Sequence, residues 1–182
     1  MFDRTVDQYK NGLFTWFIGE VKDINDTKNL NRVRVLAYGY YDGVKNKNKT
    51  TDQMLAKPEG DWSDLPWATV MMPNTSASMQ GNGGNHHLEV GSWVVGFFRD
   101  GPSAQDPIVI GSIATQTDGV KDIPTDASVD NKIYVSKSGH KVEIDNTAGT
   151  EQIRITHKTG SYIKFLEDGT IEIKSTIKTR VI

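Results

Sequence analysis

The sequence contains no cysteine, which excludes disulfides, thiolate metal sites and cysteine nucleophiles. That absence fits a reducing cytoplasm. It has no run of about 18 apolar residues. Its opening, MFDRTVDQYKNGLF, holds two acids and no apolar stretch long enough for a signal peptide. The expectation is a chain that neither spans a membrane nor is exported by a leader of its own. A strong charge of either sign is missing too. The formal net charge is −2, far from the dense basic footprint of a protein that coats nucleic acid.

The 182 residues, 36% hydrophobic and 24% charged, allow one moderate domain or two small ones. Charge is unevenly placed. Residues 1–131 carry 12 Lys/Arg against 17 Asp/Glu, a net of −5, and residues 132–182 carry 9 against 6, a net of +3. Two electrostatically different parts follow, with the change in a loop-like stretch.

In the first part, FTWFIGEV (14–21) is aromatic and β-branched, and RVRVLAY (32–38) opens with the alternation of a half-buried strand. The turn between them, KDINDTKNLN, is rich in Asp and Asn, so the two segments read as a hairpin. Residues 41–64 read as a polar surface excursion. PWATVMM (66–72), GSWVVGFF (91–98) and PIVIGSI (107–113) complete a set of short strands. Such a set fits a small, partly open barrel of the OB type, with a β-sandwich as the alternative. ATQTDGVKDIPTDASVDN (114–131) has little apolar periodicity and reads as a linker.

Beyond the linker, KVEID, QIRITH, YIKFL and TIEIKSTIKTRVI read as short strands separated by Gly-bearing turns, with Asp168-Gly169 a strong hairpin signal. The last segment is expected to run as one strand, with Ile171, Ile173, Ser175, Ile177, Thr179 and Val181 on one face. About 50 residues with no helix to cover an Ile-rich sheet make a marginal core. Something must bury that face: identical copies in a closed ring, or the first domain folded back on it. The residues expected at the interface between copies are Ile153, Ile155, Ile163, Phe165, Ile171, Ile173 and Ile177, a trimer interface if the resemblance given below holds.

Motifs that could carry chemistry are weak. His86-His87 would point to opposite faces of an extended chain and reads as a loop pair. His140 and His157 are single residues, either of which could present three imidazoles on a threefold axis, though a hydrogen-bonded role is commoner. GNGGN (81–85) lacks the Lys-Ser/Thr of a phosphate loop and reads as a flexible loop. Asp61, Asp64 and Glu89 show no spacing that selects a hydrolytic pair. Trp16, Trp62, Trp67 and Trp93 read as core in preference to a base-stacking platform. No catalytic, cofactor-binding or metal-binding residue is assigned.

Two stretches resemble the central spike proteins of contractile-tailed phages and the valine-glycine repeat spikes of type VI secretion. WFIGEVKDINDTKNLNRVRV, LPWATVMMPNTSASMQGNGG and EVGSWVVGFFRDGPSAQDPIVIGSI resemble that family's OB module. SGHKVEIDNTAGTEQIRITHKTGSYIKFLEDGTIEIKS resembles the start of its trimeric β-structure. The resemblance implies an all-β protein: an OB-fold domain at 1–113, a linker at 114–131 and a short intertwined trimeric stalk at 132–182, the start of a β-helix or prism. It implies a structural, non-enzymatic homotrimer in the virion baseplate, assembled in the host cytoplasm. Its implied partners are a tail hub, a separate spike-tip protein and the host envelope. The chain departs from the lysozyme-bearing spike in having only the linker where that enzyme lies, too short for a domain of on the order of 100 residues. It also lacks the family's long Val-x-Gly octad repeats, so the needle is expected to be short, truncated or completed by a tip protein. The alternative function is an OB-fold single-strand nucleic-acid binder using Arg32, Arg34, Tyr38, Tyr40 and Tyr41; a cell-wall hydrolase is weaker still.

Overall fold

A computed structural model describes residues 14–41, 62–85, 87–117 and 119–177. The chain divides into two compact units, Met1–Ile113 and Ala114–Ile182, and the described residues contain no α-helix.

The first unit is a closed barrel of five strands: β1 (Thr15–Asp23), β2 (Val33–Ala37), β3 (Trp67–Val70), β4 (Trp93–Phe98) and β5 (Pro107–Ile113). Neighbours follow the order β1-β2-β3-β5-β4 and return to β1, with β3 and β5 parallel and the other pairs antiparallel. This is the OB arrangement expected from the sequence. The nine-residue β1 pairs with both β2 and β4, bulging between Val21 and Asp23. Phe17, Val21, Val33, Val35, Val94, Phe98 and Val109 point inward, and the Phe17 and Phe98 rings pack 4.8 Å apart. Each such side chain contributes roughly 1.5–3 kcal/mol on burial.

Closure depends on Gly96. A Cβ there would lie 2.1 Å from the Ile108 carbonyl oxygen and 2.5 Å from the Phe17 ring, and β4 bulges against β5 at this point. Backbone and ring come close only because glycine has no side chain.

The excursion expected on the surface is anchored at both described ends. Residues 42–61 lie outside the description, but Tyr41, Trp62 and Leu65 are core residues. Arg34 holds the returning segment by donating to the carbonyls of Trp62, Ser63 and Leu65. The polar composition of 41–64 hid the core role of Tyr41 and, just beyond it, of Leu65.

The second unit begins with a small hairpin, β6 (Gln116–Thr117) and β7 (Val120–Lys121), within the stretch expected to be a linker. A five-stranded antiparallel sheet follows: β8 (Asn131–Val135), β9 (Lys141–Asp145), β10 (Gln152–Thr156), β11 (Tyr162–Leu166) and β12 (Ile171–Lys174). Each strand pairs with its neighbour in the chain. β8 was not among the expected strands, because NKIYV follows an Asp-rich stretch and alternates weakly. The last strand is shorter than expected. It ends at Lys174, residues 175–177 leave the ladder, and 178–182 lie outside the description.

Three of the four connections have one design. Ser136 N–H bonds His140 O, His157 N–H bonds Ser161 O and Leu166 N–H bonds Thr170 O. Inside each, a glycine at positive φ (Gly139, Gly160, Gly169) donates back to the first residue. This is the three-residue hairpin connection in which a type I turn is completed by a left-handed residue.

Candidate assembly interfaces

Residues directly opposite across antiparallel strands share a face. Ile144 pairs with Ile153, which pairs with Phe165, which pairs with Ile171. Val142 pairs with Ile155, which pairs with Ile163, which pairs with Ile173, and Tyr134 adjoins Val142 on β8. The result is a continuous apolar face across β9 to β12 that Tyr134 extends onto β8, where Lys132 stands opposite Ile144, and its nine apolar members, Tyr134 included, remain 42–68% exposed in the single chain. A contiguous apolar surface of this kind marks an interaction site. Six of the seven residues expected at a trimer interface lie on it. Ile177 does not, because it follows the end of β12, where it is exposed.

The opposite face is polar yet better covered. Glu143 is buried, accepting from Asn131 Nδ2 at 2.9 Å and pairing with Lys141 at 3.0 Å. Lys141 also meets Asp126 at 3.2 Å. Burial lowers the Lys141 pKa, but the two carboxylates outweigh that and hold it above its ordinary value. Arg154 lies over the Tyr162 ring at 4.2 Å. The long polar side chains thus cover one another, and the aliphatic ones are left in solvent.

His140 and His157 come together at one end of the apolar face, their rings 4.5 Å apart. Each Nδ1 is engaged locally, that of His140 by the Lys158 N–H at 3.4 Å and that of His157 by Thr159. Spacing in the sequence did not bring these two together; strand register does. Among the described residues no group of three His, Cys, Asp or Glu side chains could hold a metal ion.

The barrel has an apolar exterior of its own. Alternation along β1 sends Phe17 and Val21 inward and Trp16 and Ile18 outward. Trp16 faces Phe97 on β4 and Ile18 faces Val95, while Phe14 packs on Phe97 at 5.5 Å and Tyr38 stacks on Trp93 at 5.4 Å. The expectation that the tryptophans are core therefore holds for Trp62, while Trp67 and Trp93 are half-buried and Trp16 is exposed. Both alternating sets of β1 are apolar, so periodicity alone could not say which faces inward. Burial and the adjacent Glu20 carboxylate push the Tyr38 phenol up to about 12, and Tyr38 Oη donates to Glu20 at 3.1 Å.

Of the groups that suggested nucleic-acid binding, Tyr38 and Tyr40 stay exposed, while Arg32, Arg34 and Tyr41 are engaged internally. Arg32 pairs with buried Asp26 through Nη2 at 2.6 Å and Nε at 3.0 Å. Asp26 also accepts from the backbone of Lys28, Leu30 and Arg32, so it organises the β1–β2 loop. The Arg32 guanidinium above all, then these amides, hold the Asp26 carboxyl well below the usual range against the opposing effect of burial. Arg34 is held by the three carbonyls named above, and Tyr41 donates to the Ala104 carbonyl within the core. Beside this loop lies a polar hollow of about 240 Å³, lined by Ile24, Asp26, Asn29, Asn31, Asn85 and His87. The glycine-rich loop near it is tied by Gly84 N–H to Ser76 Oγ and a Met79–Asn82 bridge. His86 and Asp61 lie outside the described residues. Asp64 and Glu89 sit in separate turns.

The profile of the Gp5 N-terminal OB domain matches residues 43–174. The chain belongs to that family. The matched span of this Gp5-family chain starts after β2 and runs to the end of β12, so it takes in the sheet and the barrel strands β3, β4 and β5. A curated relative is the pre-baseplate central spike protein Gp5 of Enterobacteria phage T4, 36% identical over 86 residues. The alignment covers 47% of this chain and 14% of that relative, so the chain spans only a small part of its length. The resemblance to phage central spike proteins is borne out at the level of the family.

Proposed function

We propose that this chain is a structural, non-enzymatic subunit of a trimeric baseplate central spike, in a contractile-tailed phage or a related injection particle. The barrel docks on the tail hub and the sheet forms the base of the membrane-puncturing stalk. Residues 1–113, 114–131 and 132–182 act as docking domain, connector and trimerisation stalk. A tip protein and the host envelope are the partners beyond it, and the assembled particle is its location. The observation that carries this reading is the apolar face spread over all five strands of the second unit, within a family that includes a central spike protein. Three such faces turned to a common axis bury one another and make a stiff β-rod. The exposed Phe14–Trp16–Ile18 strip with Phe97 supports the docking role, since aromatic anchors dominate interface energetics.

Light scattering coupled to size exclusion tests it. A mass three times the 20.2 kDa of the chain is expected at micromolar concentration. A monomer there refutes the spike reading.

A further inference from the structure

The strands β8 to β12 run back and forth, so their connections gather at two ends. The turns 136–140 and 157–161 at one end carry Lys137, His140, His157 and Lys158 and no acid. At the other end, loop 146–151, turn 167–170 and the flanking Asp130 and Asp145 include Glu151, Glu167 and Asp168, against the one base Lys132, whose Nζ donates to the Val129 carbonyl. Hydrogen bonds from Thr147 and Thr170 hold the Asp145 and Asp168 carboxyls below their ordinary values, so both stay ionised. The sheet is polarised along its strands.

A five-residue strand spans about 17 Å, and sheets packed face to face lie about 10 Å apart. Three sheets closed into a triangle with strands as its sides would each stand about 5 Å from the axis, half that spacing. The apolar faces then fill the centre and the strand ends form the corners. Joining the free edges β8 and β12 instead would close a barrel far wider than the roughly eight strands whose interior side chains can fill. A cyclic trimer is heterologous: one patch of each copy meets a different patch of the next. Corners of such a triangle therefore bring the basic end of one sheet to the acidic end of its neighbour.

Resting on the trimer reading above, we infer that each corner is a charge-complementary contact, with the Lys137 and Lys158 turns of one copy facing Glu151, Glu167 and Asp168 of the next. The contact selects the closed arrangement with all copies in one sense, since any reversed copy would set like charges together.

Charge exchange tests this on the full chain by sedimentation velocity at about 0.1 M salt. Lys158→Glu and Glu167→Lys alone each weaken trimer association, on the order of tenfold or more, as three corners turn from attraction to repulsion. Combined in one chain they restore it. Within a chain the two positions are separated by the length of β11, about 17 Å, beyond a screening length of about 10 Å at that salt, so rescue must act between copies. A wild-type trimer indifferent to the single changes, or a double variant weaker than either, overturns the corner contact and leaves the trimer standing. A monomeric wild type overturns both.

Discussion

Ile163→Asp compared with Lys164→Gln isolates the face on which assembly depends. The residues are adjacent on the inner strand β11, and Ile163 lies between Ile155 and Ile173, whereas Lys164 points to the polar side. Ile163 keeps 43% of its surface exposed in the single chain. With about 1.5–3 kcal/mol for a whole side chain, covering the remainder contributes about 1 kcal/mol per copy and about 3 kcal/mol per trimer. A carboxylate there adds several kcal/mol of desolvation, and three would converge on the axis. At 1.4 kcal/mol per decade, trimer association should fall by roughly a thousandfold or more. Lys164→Gln removes only a 3.9 Å pairing with Glu172 and should stay trimeric. Analytical ultracentrifugation gives the mass, and near-ultraviolet circular dichroism checks the fold of the barrel, which contains all four tryptophans. A trimeric Ile163→Asp protein with an intact barrel signal would refute the assignment of this face.

Trp16→Ser should leave the barrel's urea midpoint nearly unchanged, because Trp16 is exposed, but should weaken hub binding roughly thirtyfold in a calorimetric titration if it is an anchor. Asp26→Asn should cost about 2 kcal/mol at neutral pH. Because folding lowers the Asp26 pKa, its contribution is full above the unfolded value near ~3.9 and is lost as pH falls toward the folded one. Urea melts at pH 7, 3 and 2 should therefore fall more steeply for the wild type than for Asp26→Asn. Gly96→Ala should destabilise the barrel by about 3 kcal/mol or more, read as a lower melting temperature, since the Ile108 carbonyl leaves no room for a methyl group. Inserting a small folded domain after Gly119, between β6 and β7, should leave the mass of the assembly at three copies; a monomer would show that this hairpin matters to association.

The barrel was legible because inward and outward positions differ in Val33–Arg34–Val35 and because turn residues punctuate each strand. The apolar sheet face was legible for the same reason, with Ile and Phe alternating against Arg, Lys and Glu. Where both alternating sets are apolar, as in β1, the pattern loses its sign, and Trp16 was misplaced accordingly. The buried Leu65 was missed because it stands alone beside a polar stretch, in a segment held by Arg34 through its backbone carbonyls and not marked by periodicity. The final strand was overextended because Ser175 and Ile177 keep the alternation after the ladder ends at Lys174. The neighbouring imidazoles and the polarised strand ends depend on register, which fixes positions far apart in the chain and leaves no local mark.

The order in which β8 to β12 pair has a consequence for how such a particle is built. Every backbone ladder closes between consecutive strands of the same chain, through connections of three to six residues or so. Such a sheet needs no other copy to form its four internal ladders, although the β8 and β12 edges stay open, and its short-range contacts let it form early. In the trimer proposed above, copies whose sheets pair only within one chain could meet as finished parts and separate again without melting these strands. Subunit exchange between differently labelled trimers would then be limited, over β8 to β12, by the parting of apolar faces.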